Sequence, residues 1–483
     1  MQSVTVLFAI FVLVNQTADS FPECQGKIVS KVFGSGNCAS LSGERSTEAV
    51  AKCKDSYDID SAGYHWQCDV DLTGSGSRCT HSHLCQVDTD PLKAWDKLAP
   101  VSVDEKATLT HIEIPDTSLY SVGQPSGMGR LTDTKFVACG ALDRHEKWHC
   151  HAVEDVVGGL LVGDRIQLTQ YGVADPFMSE FAQNKAVFCY RSGSQTRCRL
   201  ITAEQRVLKV GEDLVAPASL SSPFVPTLVK LEEGKLLLCM NNRIEWAKNH
   251  ALMCGVLTEN SGSLELGPLT ELDSGMTYAY TNAKMSMVAP GKVLECHRRG
   301  NDKQTMCSFL TVTGTSITKG DATAIKLKTD DTGYVTGMTS GEAMWCSPRN
   351  LKCVLLDVSG SAPKELSELD VPRTGAHNWH WASLARLWSD RVQYCWSISR
   401  TIEMGNPYCV TITCKDKKCT HGEKSHPNGS DKEDYPRSHT VEAITLSPGK
   451  VAVCAEDRDN TGYAVNGDFD RVNPTCGVYS LKH

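Results

Sequence analysis

The sequence predicts an all-β chain built from stapled repeats, and three observations carry that prediction. Cysteine pairs recur at Cys139/Cys150, Cys189/Cys198, Cys239/Cys254, Cys296/Cys307, Cys346/Cys353, Cys395/Cys409 and Cys454/Cys476. Their first members step by 50, 50, 57, 50, 49 and 59 residues. Each pair brackets one figure. An apolar run ends at a cysteine, a polar stretch follows, and the second cysteine opens another apolar run, as in Gly291-Lys292-Val293-Leu294-Glu295-Cys296 and Cys307-Ser308-Phe309-Leu310. The apolar runs are short and bounded by turn residues, so no long helix is needed anywhere.

In chain order, residues 1–20 read as a signal peptide. Val4 to Val14 is almost wholly apolar, and Ala18-Asp19-Ser20 supplies small residues for a cut before Phe21. That run is shorter than the roughly 20 residues a membrane span needs. The expected mature chain is therefore soluble, secreted and extracellular. All 22 cysteines follow the cut, and in an oxidising compartment an even number pairs off as disulfides. Asn428-Gly429-Ser430 is a glycosylation sequon in a Pro/Gly/Ser-rich stretch.

Residues 21–88 form a predicted disulfide module with Cys24, Cys38, Cys53, Cys68, Cys79 and Cys85. So small a module buries little core, and disulfides supply what packing cannot. The cysteine spacings do not match the paired C-x2-4-C pattern of a zinc site, and the pairing among the six stays open. Residues 89–120 form a linker that carries one alternating strand, Ala107 to Ile114, ended by Pro115-Asp116.

The repeats occupy 121–483. In the third unit, strands are predicted over Thr227–Leu231, Lys235–Cys239, Ala251–Leu257 and Leu264–Leu269. Four short strands at a period near 50 make one propeller blade. Cysteines facing each other across an antiparallel pair lie close enough to bridge, so each pair staples the second strand of a blade to its third. Cys414 and Cys419 remain over and are expected to pair and brace the sixth unit. The last unit stops near Leu481 without a fourth strand, and the strand over 107–114 supplies one. Laying it on the final blade closes the ring and removes the exposed edges. The predicted fold is a seven-bladed β-propeller with one stapled hairpin per blade.

The spacing and the bridge in each blade resemble secreted seven-bladed β-propeller proteins over about residues 110–483. The resemblance is architectural. Trp-Asp repeat ends, recurring kelch Gly-Gly pairs and sialidase-type Asp-boxes are all lacking, so it implies no functional residues.

Net charge of −8 and the lack of any run of five Lys/Arg argue against nucleic acid or an anionic membrane as partner. His145-Glu146-Lys147-Trp148-His149 matches H-E-x-x-H, but it fills the turn between Cys139 and Cys150 where a zinc protease needs a helix. The reading is a chance match in a hairpin tip, with adventitious metal binding by His145, His149 and His151 as the alternative. Asp457 and Asp459, near Gly462, make half of a calcium loop, and ordinary turn formation is preferred. No cofactor is expected.

In a propeller the first strand of each blade lines the central channel. Aligning the units places Phe177, Tyr278, Tyr280, Asn282, Tyr334, His377, Asn378, Trp379, His380, Trp381 and His439 on or above those strands. Aromatic faces with amide and imidazole groups suit a sugar or another partly apolar ligand. The competing interpretation is that Trp379 and Trp381 only pack between blades. Three functions follow in order: a secreted recognition protein that binds a glycan or an extracellular protein at its rim; a secreted carbohydrate-active enzyme of polysaccharide lyase type; and a structural component of the extracellular matrix. The enzyme would use His377, His380, His439, Tyr280 and Tyr334 as acid and base. Hydrolysis would need two inward carboxylates, and no convincing pair stands out in the sequence.

Overall fold

The computed structural model describes residues 127–141, 148–157, 159–169, 174–217, 223–245, 249–276, 283–299, 304–327, 333–338, 341–372, 379–399, 404–426, 441–456 and 474–481, together with the backbone of five earlier strands. The chain divides into two compact units, Met1–Pro100 and Val101–His483. In the first, Arg78–Gln86 pairs antiparallel with Lys27–Phe33, Tyr64–Asp71 and Gly36–Asn37. The signal-peptide expectation at 1–20 lies outside the described residues.

The second unit is a seven-bladed β-propeller. Blade two shows the plan: Ala174–Ala182, Lys185–Ser192, Gln195–Glu204 and Val207–Val210 run as a meander from the channel outward. Thr108–Glu113 pairs antiparallel with Pro474–Ser480 as the outer strand of blade seven, which ties the start of the ring to its end.

Every blade carries the bridge that its cysteine spacing predicts, between the second and third strands. In blade order these are Cys139–Cys150, Cys189–Cys198, Cys239–Cys254, Cys296–Cys307, Cys346–Cys353, Cys395–Cys409 and Cys454–Cys476, with Cα atoms 4.0–4.1 Å apart. The two longest hairpins of regular strand, in blades three and six, keep the same opposition: Cys239 faces Cys254 and Cys395 faces Cys409. The register explains the position. The Cys139 N–H donates to Gly127 O on the first strand, so toward the third strand Cys139 occupies a non-hydrogen-bonded pair. Cα atoms are closest at such pairs. An eighth bridge, Cys414–Cys419, joins the third and fourth strands of blade six. Among the described residues no cysteine is free.

The cores lie between blades. Trp148, Cys150 and Leu131 of blade one pack on Phe188, Met178 and Ile201 of blade two, and Met344 and Leu355 of blade five on Trp396 and Tyr394 of blade six. Successive residues of a strand face opposite sides, so each blade offers one apolar face to each neighbour. The outer strand is less regular than expected. In blade three it is Ser263–Leu266, and then a second segment, Thr270–Met276, pairs with the same neighbour. Between them the Gly267 N–H bonds to Val256 O, and Pro268 has no N–H to continue the ladder. Gly163, Gly211 and Gly320 mark the same break in blades one, two and four.

Candidate functional site

One position orders the channel. The residue opposite the first cysteine stands on the innermost strand, twelve residues before it, in every blade: 127/139, 177/189, 227/239, 284/296, 334/346, 383/395 and 442/454. The upper ring is thus Gly127, Phe177, Thr227, Lys284, Tyr334, Ser383 and Glu442. Two of its hydroxyls stitch blades together. Thr227 Oγ1 donates to Ala283 O at 3.1 Å, and Ser383 Oγ donates to Ala443 O at 3.1 Å while accepting the Ala443 N–H at 2.9 Å.

Glu442 spans the seam between blades seven and one. Its Oε2 accepts the Met128 N–H at 3.0 Å, and the Gly127 N–H also favours its charged form. A side chain at Gly127 would bring a Cβ within 2.3 Å of Cys139 O, so this approach requires glycine. Burial pushes the Glu442 carboxyl up to about 8, against the opposing pull of those two N–H groups and of the Lys284 charge. Lys284 belongs to blade four and Glu442 to blade seven, so that attraction acts across the channel.

Lys284 Nζ lies 4.7 Å from the centre of the Tyr334 ring, a cation–π arrangement. Tyr334 is held from below by its own blade. Gly333 has φ of +66°, and a Cβ there would fall 2.4 Å from the Trp345 indole, which is fully buried. Together these residues offer an ammonium on an aromatic face and a carboxyl that keeps its proton at neutral pH. Such a carboxyl donates a hydrogen bond or acts as a general acid.

Three residues further along each strand, the lower ring carries a different pattern. Arg130, Glu180 and Lys230 occupy one position in blades one, two and three. Arg130 Nη1 donates to Glu180 Oε2 at 2.9 Å and Lys230 Nζ to Glu180 Oε1 at 2.5 Å, while Asp133 and Glu233 cap the cations. Burial acts to raise the Glu180 carboxyl, but Arg130 and Lys230 outweigh it and hold it below the ordinary carboxylate range. In this ladder each charge has its partner within the row, and it reads as structural.

Of the residues singled out in the sequence, Tyr334 and Phe177 stand on the upper ring. Trp379, His380 and Trp381 are on the inner strand of blade six, paired with Ser399, Ile398 and Ser397, upstream of Ser383. Tyr278, Tyr280, Asn282, His377, Asn378, His439, Asp457, Asp459 and Asn428 lie outside the described residues. So does His145, but Trp148 and His149 are extended strand paired with Ala141 and Gly140, so His149 does not stand on a helix. Among the described residues, no group of three His, Cys, Asp or Glu side chains converges to hold a metal ion. None of their helices is long and apolar enough to cross a membrane. Sequence reasoning passed over Lys284 and Glu442, although counting twelve residues back from Cys296 and Cys454 finds both.

No family model matches the chain, and no curated protein matches it. Solved structures do. The WD40 domain of coronin from Toxoplasma gondii superposes with a TM-score of 0.50 at 9% identity, covering 80% of this chain and 90% of that one. That likeness concerns the propeller fold alone. Weaker likenesses are to an oligogalacturonate lyase in complex with manganese (TM-score 0.41, 12% identity, 78% of this chain and 97% of that one) and to an α-L-arabinanase from Penicillium chrysogenum complexed with arabinobiose (TM-score 0.38, 13% identity, 62% and 94%).

Proposed function

We propose that this protein is a secreted recognition protein that takes a glycan or an extracellular protein at the upper mouth of its channel. The observation that carries the reading is the upper ring: Lys284 over the Tyr334 ring, with Glu442 protonated across the channel. An aromatic face, a cation and a neutral acid bind a partly apolar, oxygen-rich ligand by stacking, charge and hydrogen bonding. Tyr278, Tyr280, Asn282, His377, Asn378, Trp379, His380 and Trp381 would extend this surface along the rim. The abundance of disulfides supports an oxidising, extracellular setting.

A glycan array and a panel of extracellular proteins, probed with wild type and with Tyr334→Ala and Lys284→Ala, test the reading. Binding that falls about tenfold or more in both variants, with folding intact, supports it. Retention of full affinity in both would sink it.

The raised acid at Glu442 favours a second reading, an enzyme using general acid–base chemistry on a polysaccharide. Its test is turnover of acidic polysaccharides, read as absorbance of an unsaturated product. Turnover lost in Glu442→Gln but kept in a distant surface variant would support the enzyme, and no turnover by wild type would rule it out.

A further inference from the structure

Among the described residues, blade six carries a feature that no other blade has. Cys414 and Cys419 bridge the third and fourth strands across a two-residue turn, in the sequence Cys414-Lys415-Asp416-Lys417-Lys418-Cys419. Both central residues are left-handed, Asp416 at φ 50° and Lys417 at φ 63°. Asn-Gly or Asp-Gly is the usual choice for such a turn, so Asp416 fits its place and Lys417 is the unfavourable occupant, which leaves an acidic and a basic side chain at the tip. The bridge fixes that conformation. Beyond the turn, the chain is bound back to its own blade: Ser425 and Cys409 exchange backbone hydrogen bonds, and Ser425 Oγ lies 3.0 Å from Tyr479 Oη of blade seven.

Lys415, Lys417 and Lys418 are all exposed, and among the described residues none of the three amines has an ion-pair or hydrogen-bond partner. Several lysines elsewhere are held by carboxylates: Lys185 by Glu259 at 2.7 Å, Lys230 by Glu180, Lys450 by Asp155 at 3.0 Å. Lys417 and the exposed Lys364 of blade five both act on Asp357, so two cations share one counter-charge where the hairpin meets the neighbouring blade. Asp416 in the turn and Glu423 beyond it are the counter-charges on the hairpin itself.

We propose that this hairpin docks a sulfated polysaccharide. It is the turn between third and fourth strands, so it lies on the face opposite the upper ring and acts independently of it. On a chain of net charge −8, a cationic ligand would be the ordinary partner, and a polyanion needs a local excess of positive charge, which Lys415, Lys417, Lys418, Lys424 and Lys364 supply over Asp416, Glu423 and Asp357. Ammonium groups are compact point charges without the fork that selects a single carboxylate. Splayed around a tip with no apolar groove, they match repeated anions along a flexible chain better than a folded protein surface. The bridge holds the charges together before binding, which lowers the entropy lost on docking.

The test is binding of full-length protein to heparin across a salt series, with size-matched polyglutamate as the second probe. Wild type should bind heparin with affinity that falls steeply as salt rises. The K415Q/K417Q/K418Q variant should bind at least about tenfold more weakly and with a shallower salt slope. The C414S/C419S variant keeps every charge but frees the turn, and should lose about two- to fivefold. Circular dichroism confirms that both variants keep the fold. Absence of heparin binding by wild type, or unchanged affinity in the triple variant, overturns the proposal. Polyglutamate bound as tightly as heparin overturns it in favour of an acidic protein segment.

Discussion

Replacing Glu442 by Gln should stabilise the propeller, and the gain should depend on pH. The carboxyl is ordinary in the unfolded chain, near 4.5, and is pushed up to about 8 in the folded one because burial penalises its charge. The native state therefore favours the protonated form. Its contribution is fully present below the unfolded value, is lost progressively as pH rises through the folded value, and is constant above that. At neutral pH the unfolded chain has released this proton and the native state has not. The difference of about 2.5 pK units between 4.5 and 7 corresponds to roughly 3 kcal/mol. The channel leaves Glu442 only half-buried, and its solvent contact reduces the expected effect to about 2 kcal/mol. Gln keeps the shape and an oxygen to accept the Met128 N–H, but cannot ionise. Denaturant unfolding of wild type and variant, disulfides intact, from about pH 5 to about pH 9 reads the difference directly. The two should coincide at the acid end and diverge as pH rises, with the variant the more stable. A difference that stays constant over that range, or a variant less stable at the alkaline end, would refute the argument that burial controls this carboxyl.

Three further outcomes are expected. Glu180→Gln should cost about 2–4 kcal/mol at neutral pH, because Arg130 and Lys230 lose their shared counter-charge. Glu180 is held below the ordinary range, so its stabilisation is lost as pH falls through that range, and wild type and variant should converge on acidification in the same unfolding assay. Removing Cys454–Cys476, whose partners are 22 apart in sequence, should cost about 1 kcal/mol more than removing Cys346–Cys353, 7 apart, in paired Cys→Ser variants compared by denaturant midpoint. Gly333→Ala puts a Cβ against Trp345 at positive φ. It should cost about 1–3 kcal/mol and alter near-ultraviolet dichroism, while a matched Gly360→Ala, where only Ala362 O is near at 3.7 Å, should do neither.

What could be read in the sequence follows from how far apart the determining contacts are. The bridge of each blade is a local event: Cys189 and Cys198 are nine residues apart and directly opposed, so spacing alone identifies the hairpin. The same holds for Cys239 with Cys254 and Cys395 with Cys409, where the hairpins are longer but the opposition is unchanged. Seven repetitions of that event give the blade count. The broken outer strands were also present in the sequence, as a glycine recurring at 163, 211, 267 and 320, but a single run such as Leu264–Leu269 looks continuous until its hydrogen bonds are assigned. The upper ring divides along the same line. Tyr334 and Phe177 stand out because aromatic residues invite attention at a channel. Lys284 and Glu442 do not, since in composition they resemble any surface residue. Glu442 becomes unusual only through its burial at the seam, against Met128, 314 residues away, and nothing local announces that placement.

The fixed twelve-residue register governs how this scaffold carries function. Because twelve residues separate the ring position from the first cysteine in all seven blades, a change at a ring position alters chemistry without shifting the frame around it. The seven occupants are accordingly unlike: Gly, Phe, Thr, Lys, Tyr, Ser and Glu. Thr227 and Ser383 commit their hydroxyls to the neighbouring blade, and Glu442 gives one oxygen to the seam while its proton remains. Phe177 packs against the core between blades two and three, so the cation, the aromatic face and the neutral acid fall to Lys284, Tyr334 and Glu442, on blades four, five and seven. A ligand centred over the channel would meet these blades first. Substitutions at Thr227 or Ser383 should therefore act mainly on stability, whereas those at Lys284 and Tyr334 should act mainly on binding.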